Sequence, residues 1–498
     1  MRLAKMIATV GPASRSPEVM KALIEAGVDV FRLNFSHAQQ YETLAETVRQ
    51  IRELSASLNR TVAILGDLQG PKFRVGTFVD HEPISLTNGS LVRLAYDREP
   101  GDPEQINTPS QELLESLVEG SQILLDDGNL ELTVVERVSP HKVVCRVEVG
   151  GLLKEKKGIN VPGVKINIPA MTEKDREDAR FALSVGVDWL ALSFVQQAAD
   201  VDELRQFLID SGATETTIPG LVAKIEKPNA LLDIDAILLT ADAIMVARGD
   251  LGVELRPECV PVTQKLLIAK ANEYEKPVIT ATQMLESMIQ SPTPTRAEVS
   301  DVANAVIDGS DAVMLSAETA VGQYPVEAVK VMARIIIEAE KQLPIWHRED
   351  SRSRLMMEPD AIHGLEFHET IARTAALAAQ RANADAIVVL SMSGRMATRV
   401  SKCKPHRPIL ALAPDARICR KMTLLWGVYP LLVSPVDNSD EMLHQAELAI
   451  ARYNYLSTDA PIVFCAGKTP LPGLSNTLKL YRYGTATRQK MALETCNV

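Results

Sequence analysis

Aromatic side chains are scarce in this chain, making up 4% of its 498 residues. A core with so few rings must be filled by Ala, Val, Ile and Leu, which suits helices packed on parallel strands. Paired cysteines are missing too. The six thiols (Cys145, Cys259, Cys403, Cys419, Cys465 and Cys496) are scattered, with no C-x-x-C spacing. That argues against a disulfide frame or a zinc site and reads as reduced thiols in a cytoplasmic protein. Basic residues are in deficit, 53 against 64 acidic ones, for a net charge of −11. Such a chain has no global attraction for nucleic acid or an anionic membrane, so an anionic substrate would need a local cationic site. No uninterrupted apolar run is long enough to span a bilayer. The opening MRLAKMIATVG has too short an apolar run for a signal peptide and turns at once into a strand.

What is present is a regular alternation. Short apolar runs predict eight strands, near 5–10, 28–36, 61–67, 187–194, 219–226, 242–248, 276–282 and 311–317. Helical patterns follow them at 17–26, 40–57, 172–185, 199–211, 229–240, 260–274, 295–308 and 325–342. Turns of one type announce several strands, as in AGVDVFRL, VGVDWLAL and DGSDAVML. Eight strand–helix units are the number that closes a (β/α)8 TIM barrel. The third connection breaks the rhythm. Residues 71–168 are rich in Val, Thr and Asp-Gly turns (LLDDGNLELTVVERV) and predict a small β domain, inserted in a barrel loop. After a polar stretch (PIWHREDSRSRLMMEPD), αβ units resume at DAIVVLSMSG, RPILALAP, VYPLLV and APIVFCAG. The predicted fold is therefore α/β. A barrel takes 1–70 and 169–342, a small inserted β-barrel 71–168, and a C-terminal α/β domain 343–498.

In a barrel of this kind, functional groups gather at the C-terminal ends of the strands. Six of the eight runs turn polar there: Arg32, Asn34 and Ser36; Asp67; Lys224 and Glu226; Arg248 and Asp250; Thr280 and Thr282; Ser316 and Glu318. One such pair is more often a solvated strand end, but six at the same end are hard to explain that way. In LVAKIEKP, period-two alternation puts Lys224 and Glu226 on one face of an otherwise apolar strand. Glu226 and Asp250 are hard oxygen donors suited to Mg²⁺. Arg32, Arg74 and Lys224 suit a phosphoryl group, and the backbone N–H groups around Gly249 suit a small carboxylate. Phosphoryl transfer asks for little more than such positioning and charge neutralisation.

The segments RLNFSH (32–37), GPKFR (70–74), KIE (224–226), VARGDLGVE (246–254), TATQMLESM (280–288) and AVMLSAETAVGQYP (312–325) together resemble the pyruvate kinase family, in order and through nearly the whole chain. The resemblance implies a glycolytic transferase that moves the phosphoryl group of phosphoenolpyruvate to ADP, giving pyruvate and ATP. By matching position, Glu226 and Asp250 would hold Mg²⁺ or Mn²⁺, and Lys224 and Arg32 the transferring phosphoryl group. The amides of Arg248 and Gly249, with the Thr282 hydroxyl, would hold the substrate carboxylate. Thr282, Ser316 and Glu318 would lie along a proton path to the enolate. Arg74, His37 and Lys157 would approach the nucleotide, under a lid formed by 71–168. The family is typically tetrameric.

Two departures carry expectations. Potassium-dependent members read D-T-K-G-P-E where this chain has Asp67, Leu68, Gln69, Gly70, Pro71 and Lys72. A tethered ammonium can supply the charge that K⁺ would bring. Lys72 is thus expected to remove the need for K⁺, and the Asn34–Ser36–Asp67 site to be inessential. In LSMSGRMA, residues Ser391, Ser393, Gly394 and Arg395 resemble the family's sugar-phosphate effector loop, with Met396 replacing a hydroxyl. The loop GKTPLPGLSN lacks the Trp and Arg associated with a bisphosphate, so the expected effector is a sugar monophosphate or AMP. Another enolate-processing barrel enzyme would not need the inserted domain. A swivelling dikinase would need a catalytic His motif, absent here. A catalytically inactive homologue would not be expected to keep Arg32, Arg74, Lys224, Glu226, Asp250 and Thr282 together.

Overall fold

The computed structural model describes residues 1–36, 40–164, 166, 168–346, 367–434, 439–467 and 475–488. His37, nearly all of the polar stretch after 342 and most of the 467–476 loop lie outside them. Eight parallel strands close into a barrel: Lys5–Thr9, Val30–Asn34, Ala63–Asp67, Trp189–Leu192, Gly220–Ile225, Ala243–Ala247, Val278–Ala281 and Ala312–Leu315. Each pairs with its sequence neighbour, and the first pairs with the eighth. Alternate side chains, among them Ile7, Val30, Leu65, Ala191, Val222, Met245, Ala281 and Met314, pack inside the barrel. The other row packs under the surrounding helices. The helices fall where the 3.6-residue period placed them, except that the fifth is two pieces, Pro228–Leu232 and Ile234–Thr240. Two short helices were not foreseen, Arg248–Glu254 and Ala317–Ala320. Among the described residues no helix is long and apolar enough to cross a membrane.

The recurring Gly-x-Asp turns have a physical reason. Each Asp sits at the foot of the barrel and accepts the backbone N–H of the neighbouring strand. Asp29 takes Met6 at 2.8 Å, Asp188 takes Ile64 at 2.8 Å and Asp311 takes Val278 at 2.9 Å. Asp242, without the glycine, does the same for Leu221 at 2.8 Å. Each of the four carboxylates is paired with a cation: Arg2, Arg52 with Arg420, Lys402 with Lys404, and Arg205 respectively for Asp29, Asp188, Asp311 and Asp242.

The inserted segment forms a six-stranded sheet and a two-stranded sheet around its own core of Val, Leu and Ile. The C-terminal domain has four parallel strands, Ala386–Leu390, Ile409–Ala413, Val428–Leu432 and Pro461–Gly467, with Ser475–Arg482 antiparallel at one edge. The helix Phe367–Arg381 buries Ala372, Ala375, Ala376 and Ala379, a stripe of small residues at helical spacing that lets it lie close to that sheet.

This domain is seated on the foot of the barrel. Leu424 enters the barrel's inner cluster, Gly427 N–H donates to the Leu3 carbonyl at 2.7 Å, and Lys5 Nζ donates to the Val428 carbonyl at 2.6 Å. Asp311 is fully buried, 2.5 Å from Lys402 and 3.0 Å from Lys404. Burial alone would raise its carboxyl, but the two ammonium groups hold it below the ordinary range. A depressed native value means that the stabilisation is complete above the unfolded-state value and is lost as pH falls through the native one. Asp311→Asn removes the buried carboxylate that the Lys402 and Lys404 ammonium groups share. It is expected to lower unfolding free energy by about 3–5 kcal/mol and to flatten the acid limb of stability against pH, read by urea denaturation.

Candidate active site

At the opposite mouth, the inward rows that are apolar inside the barrel end in charged groups. Val222 is followed on its face by Lys224 and Glu226. Lys224 Nζ lies 2.9 Å from Glu226 Oε1 and 3.3 Å from Asp67 Oδ1, and donates to Ser193 Oγ at 2.7 Å. Asp67 Oδ2 accepts from Arg32 Nε at 2.6 Å, and Arg32 also donates to Thr9 Oγ1 at 3.1 Å. The ends of the first five strands thus converge on one ladder of alternating charge. Asp67 and Glu226 are each 1% exposed, and the side chains of Lys224 and Arg32 are 12% and 13% exposed. Ions so buried are tolerable only when paired and hydrogen-bonded, as these are. Burial would depress the Lys224 ammonium, but the carboxylates of Asp67 and Glu226 outweigh it and hold it charged. Asp67 is kept below its ordinary value by Lys224 and Arg32, against the opposing effect of burial.

The second oxygen of Glu226 accepts the Phe194 N–H at 2.7 Å. Phe194 has φ +56°, a left-handed conformation that costs a non-glycine residue about 1 kcal/mol or more. Gly70, at φ +68°, lies so close to Ser193 and Phe194 that a Cβ there would collide with both. This turn after the third strand carries the chain to Lys72, whose Nζ is 3.7 Å from Asp250 Oδ1 and 4.0 Å from Asp127 Oδ1. Asp250 is in the first turn of the helix Arg248–Glu254. Burial raises the Glu226 carboxyl and the Asp250 charge adds to it, against the pull of Lys224. Two crowded hard-oxygen donors, one buried and one at the rim, fit a divalent Mg²⁺ or Mn²⁺ that keeps positions for water and substrate oxygens.

Arg248 does not face the mouth. Its guanidinium is buried, donating to the Thr282 carbonyl at 2.6 Å and the Gln283 carbonyl at 3.2 Å and pairing with Asp301 at 2.7 Å. It holds Thr282 and Gln283 in left-handed backbone, φ +67° and +55°. Thr282 therefore lies past the end of its strand. Thr280 is turned elsewhere, within hydrogen-bond reach of Ser310 Oγ at 2.8 Å. Thr282 Oγ1 accepts the Gly249 N–H at 2.8 Å, so this amide and hydroxyl face each other. Glu318 caps the nearby backbone through the N–H groups of Ser316 (2.7 Å) and Leu285 (3.1 Å), and burial raises its carboxyl. The Ser316 hydroxyl is buried and, among the described residues, has no hydrogen-bond partner.

Family models match almost the entire chain: "Pyruvate kinase, barrel domain" over residues 1–329 and "Pyruvate kinase, alpha/beta domain" over 369–481. The chain belongs to the pyruvate kinase family. It is 43% identical to a pyruvate kinase of Agrobacterium vitis over 99% of both chains. It is 45% identical to pyruvate kinase 2 of Synechocystis sp., over 97% of this chain and 79% of that one. Among solved structures, a pyruvate kinase from Cryptosporidium parvum superposes with a TM-score of 0.89 at 35% identity, over 97% of this chain and 96% of that one. The chain is accordingly a phosphotransferase, and the family implies a divalent metal.

Other candidates sit further out. Arg74 donates to the Lys156 carbonyl at 2.9 Å and Lys157 pairs with Asp126 at 2.6 Å, both within the inserted domain. Asn34 Oδ1 accepts the Ser36 N–H at 3.0 Å. Lys72 makes its ion pairs with Asp250 and Asp127, whereas Asp67 is paired with Arg32 and Lys224. In the C-terminal domain, Gly394 (φ +83°) starts the helix Arg395–Lys402. The N–H of Ser391 is spent on the Leu412 carbonyl at 2.9 Å, while Ser393 and Arg395 are exposed and Met396 is buried in the core. The strand-end pattern passed over Ser193, Thr9 and Phe194. Ser193 was readable, since Trp189, Ala191 and Ser193 alternate in VDWLALSF. Phe194 acts through its amide, which no side-chain pattern reveals.

Proposed function

We propose that the chain transfers the phosphoryl group of phosphoenolpyruvate to ADP, giving pyruvate and ATP, in the cytoplasm. The observation that carries this is the ladder Arg32–Asp67–Lys224–Glu226, buried at one mouth of the barrel with Asp250 at its rim. Arg32 and Lys224 hold the phosphoryl group and neutralise charge that develops on it. Lys224 also faces the enolate oxygen. The Arg248 and Gly249 amides and the Thr282 hydroxyl hold the carboxylate, and Arg248's side chain sets that cradle from behind. Thr282, Ser316 and Glu318 border the route by which a proton reaches the enolate carbon. Arg74, His37 and Lys157 receive the nucleotide phosphates as the 71–168 lid closes and excludes water. Glu226 and Asp250 would hold the divalent cation, which would supply charge neutralisation for the transfer.

The finer reading has four parts. The domains divide at 1–70 with 169–342, 71–168, and 343–498, a division supported by the inserted segment's own core and by a C-terminal core that meets the barrel only through a few residues such as Leu424 and Trp426. Lys72 replaces K⁺, supported by its place beside Asp250. The Ser391–Arg395 loop takes a sugar monophosphate or AMP. The chain assembles as a homotetramer, supported by the exposed Leu239, Val262 and Leu266 on helices bridged by Lys270 and Asp235 at 2.5 Å.

The deciding assay is pyruvate formation from phosphoenolpyruvate and ADP with Mg²⁺ in a K⁺-free buffer, and turnover is expected. Silence with and without K⁺ would overturn the activity. Recovery only with K⁺ would overturn the role of Lys72. If ribose 5-phosphate and AMP both leave half-saturation by phosphoenolpyruvate unchanged, the effector reading fails. Arg248→Lys removes the guanidinium fork that holds the Thr282 turn. It is expected to raise KM for phosphoenolpyruvate about ten-fold, with a smaller loss in kcat, in steady-state assays.

A further inference from the structure

A groove of about 700 Å³ runs along the seam between the foot of the barrel and the C-terminal domain. One wall is formed by the ends of the helices Glu173–Val185 and Ala198–Asp210 and the turn to Ile218. The other is the helix Ala416–Met422. Arg180, Arg417 and Lys421 line it. Among the described residues none of these three forms an ion pair within 4.0 Å. Lys421 Nζ donates to the Ile218 carbonyl at 2.7 Å, Arg417 reaches the Thr216 carbonyl at 3.5 Å, and the Arg180 guanidinium lies 4.9 Å from the centre of the Phe207 ring. Carbonyls and a ring satisfy geometry but leave the positive charges uncancelled.

The acids of the groove offset them only in part. Asp188 is paired with Arg52 at 2.8 Å and Arg420 at 2.7 Å, and Asp210, whose donor Gln206 at 2.8 Å is neutral, keeps one negative charge against the three positive ones. A positive hollow has been kept on a chain of net charge −11. Its volume is in the range of small-molecule pockets, and Leu183, Val187 and Phe207 give it apolar surface beside the cations.

We propose that this groove is a binding site for a small phosphorylated metabolite. The phosphate would lie on Arg417 and Lys421, and its carbon body along Phe207 under Arg180. The site is separate from the Ser391–Arg395 loop. A ligand here touches the barrel through Arg180 and Phe207 and the C-terminal domain through Arg417 and Lys421. It would therefore fix the angle between the two domains, and so favour one arrangement of the chain over others.

The test is calorimetric titration of the full chain carrying Arg395→Ala, which takes the loop out of the measurement. Ribose 5-phosphate and inorganic phosphate are the probes. Saturable binding of ribose 5-phosphate is expected, tighter than that of phosphate. Adding Arg417→Ser and Lys421→Gln should weaken it about ten-fold or more. Arg417→Ser alone alters an exposed side chain, and it should already weaken binding several-fold if the combined variant does not fold. No saturable binding of either probe, or binding that Arg417→Ser leaves unchanged, overturns the site. Equal affinity for the two probes overturns the metabolite in favour of free phosphate.

Discussion

Replacing Lys224 with methionine is expected to lower kcat for pyruvate formation by about 10³-fold or more, because charge stabilisation of a transferring phosphoryl group is among the largest single contributions in such reactions. Lys224 sits between Asp67 and Glu226 and touches both, at 3.3 and 2.9 Å. Without it, the two buried carboxylates face each other with Arg32 as the nearest remaining cation of the ladder. The same substitution should therefore cost stability, about 3–5 kcal/mol for an uncompensated buried charge. Denaturation and steady-state kinetics on the same preparation separate the effects. A folded Lys224→Met protein with near-normal kcat would remove Lys224 from the chemistry.

Lys72→Glu is expected to make the enzyme dependent on K⁺. Activity in K⁺-free buffer should fall about 100-fold and return on adding KCl. The geometry sharpens the reason. The ammonium is 3.7 Å from Asp250 and 4.0 Å from Asp127, at the rim, where it lends positive charge beside an expected metal ligand and reaches the inserted domain. A carboxylate at 72 would face two others and draw in a free cation. A Lys72→Glu enzyme fully active without K⁺ would sink the idea.

Much of the barrel was legible because two periodicities act on different lengths. Runs such as AIMVA and AVML are too short and apolar for anything but buried strands, and the amphipathic segments between them are long enough for helices. The charged mouth was legible because Lys224 and Glu226 break an apolar row on one face only. What stayed hidden has no periodicity. The helices Arg248–Glu254 and Ala317–Ala320 are one or two turns long. The strand Ser475–Arg482 is an edge, exposed over most of 477–482, whose polar residues imitate a loop. In the sequence Arg248 is one of the polar strand ends, with its amide expected at the substrate carboxylate. That its guanidinium turns inward to Asp301 depends on a residue 53 positions away.

The C-terminal domain does more than adjoin the barrel. Leu424 fills space inside the ring of strands, and the Lys5 ammonium depends on the Val428 carbonyl. A fragment ending near residue 342 would expose the apolar floor of the barrel, take the Val428 carbonyl from Lys5, and deprive Asp188 of Arg420 and Asp311 of Lys402 and Lys404. The barrel half is thus not expected to survive as a detachable module. Transplanting the C-terminal domain onto a relative would require carrying its plug and the matching barrel floor as one piece.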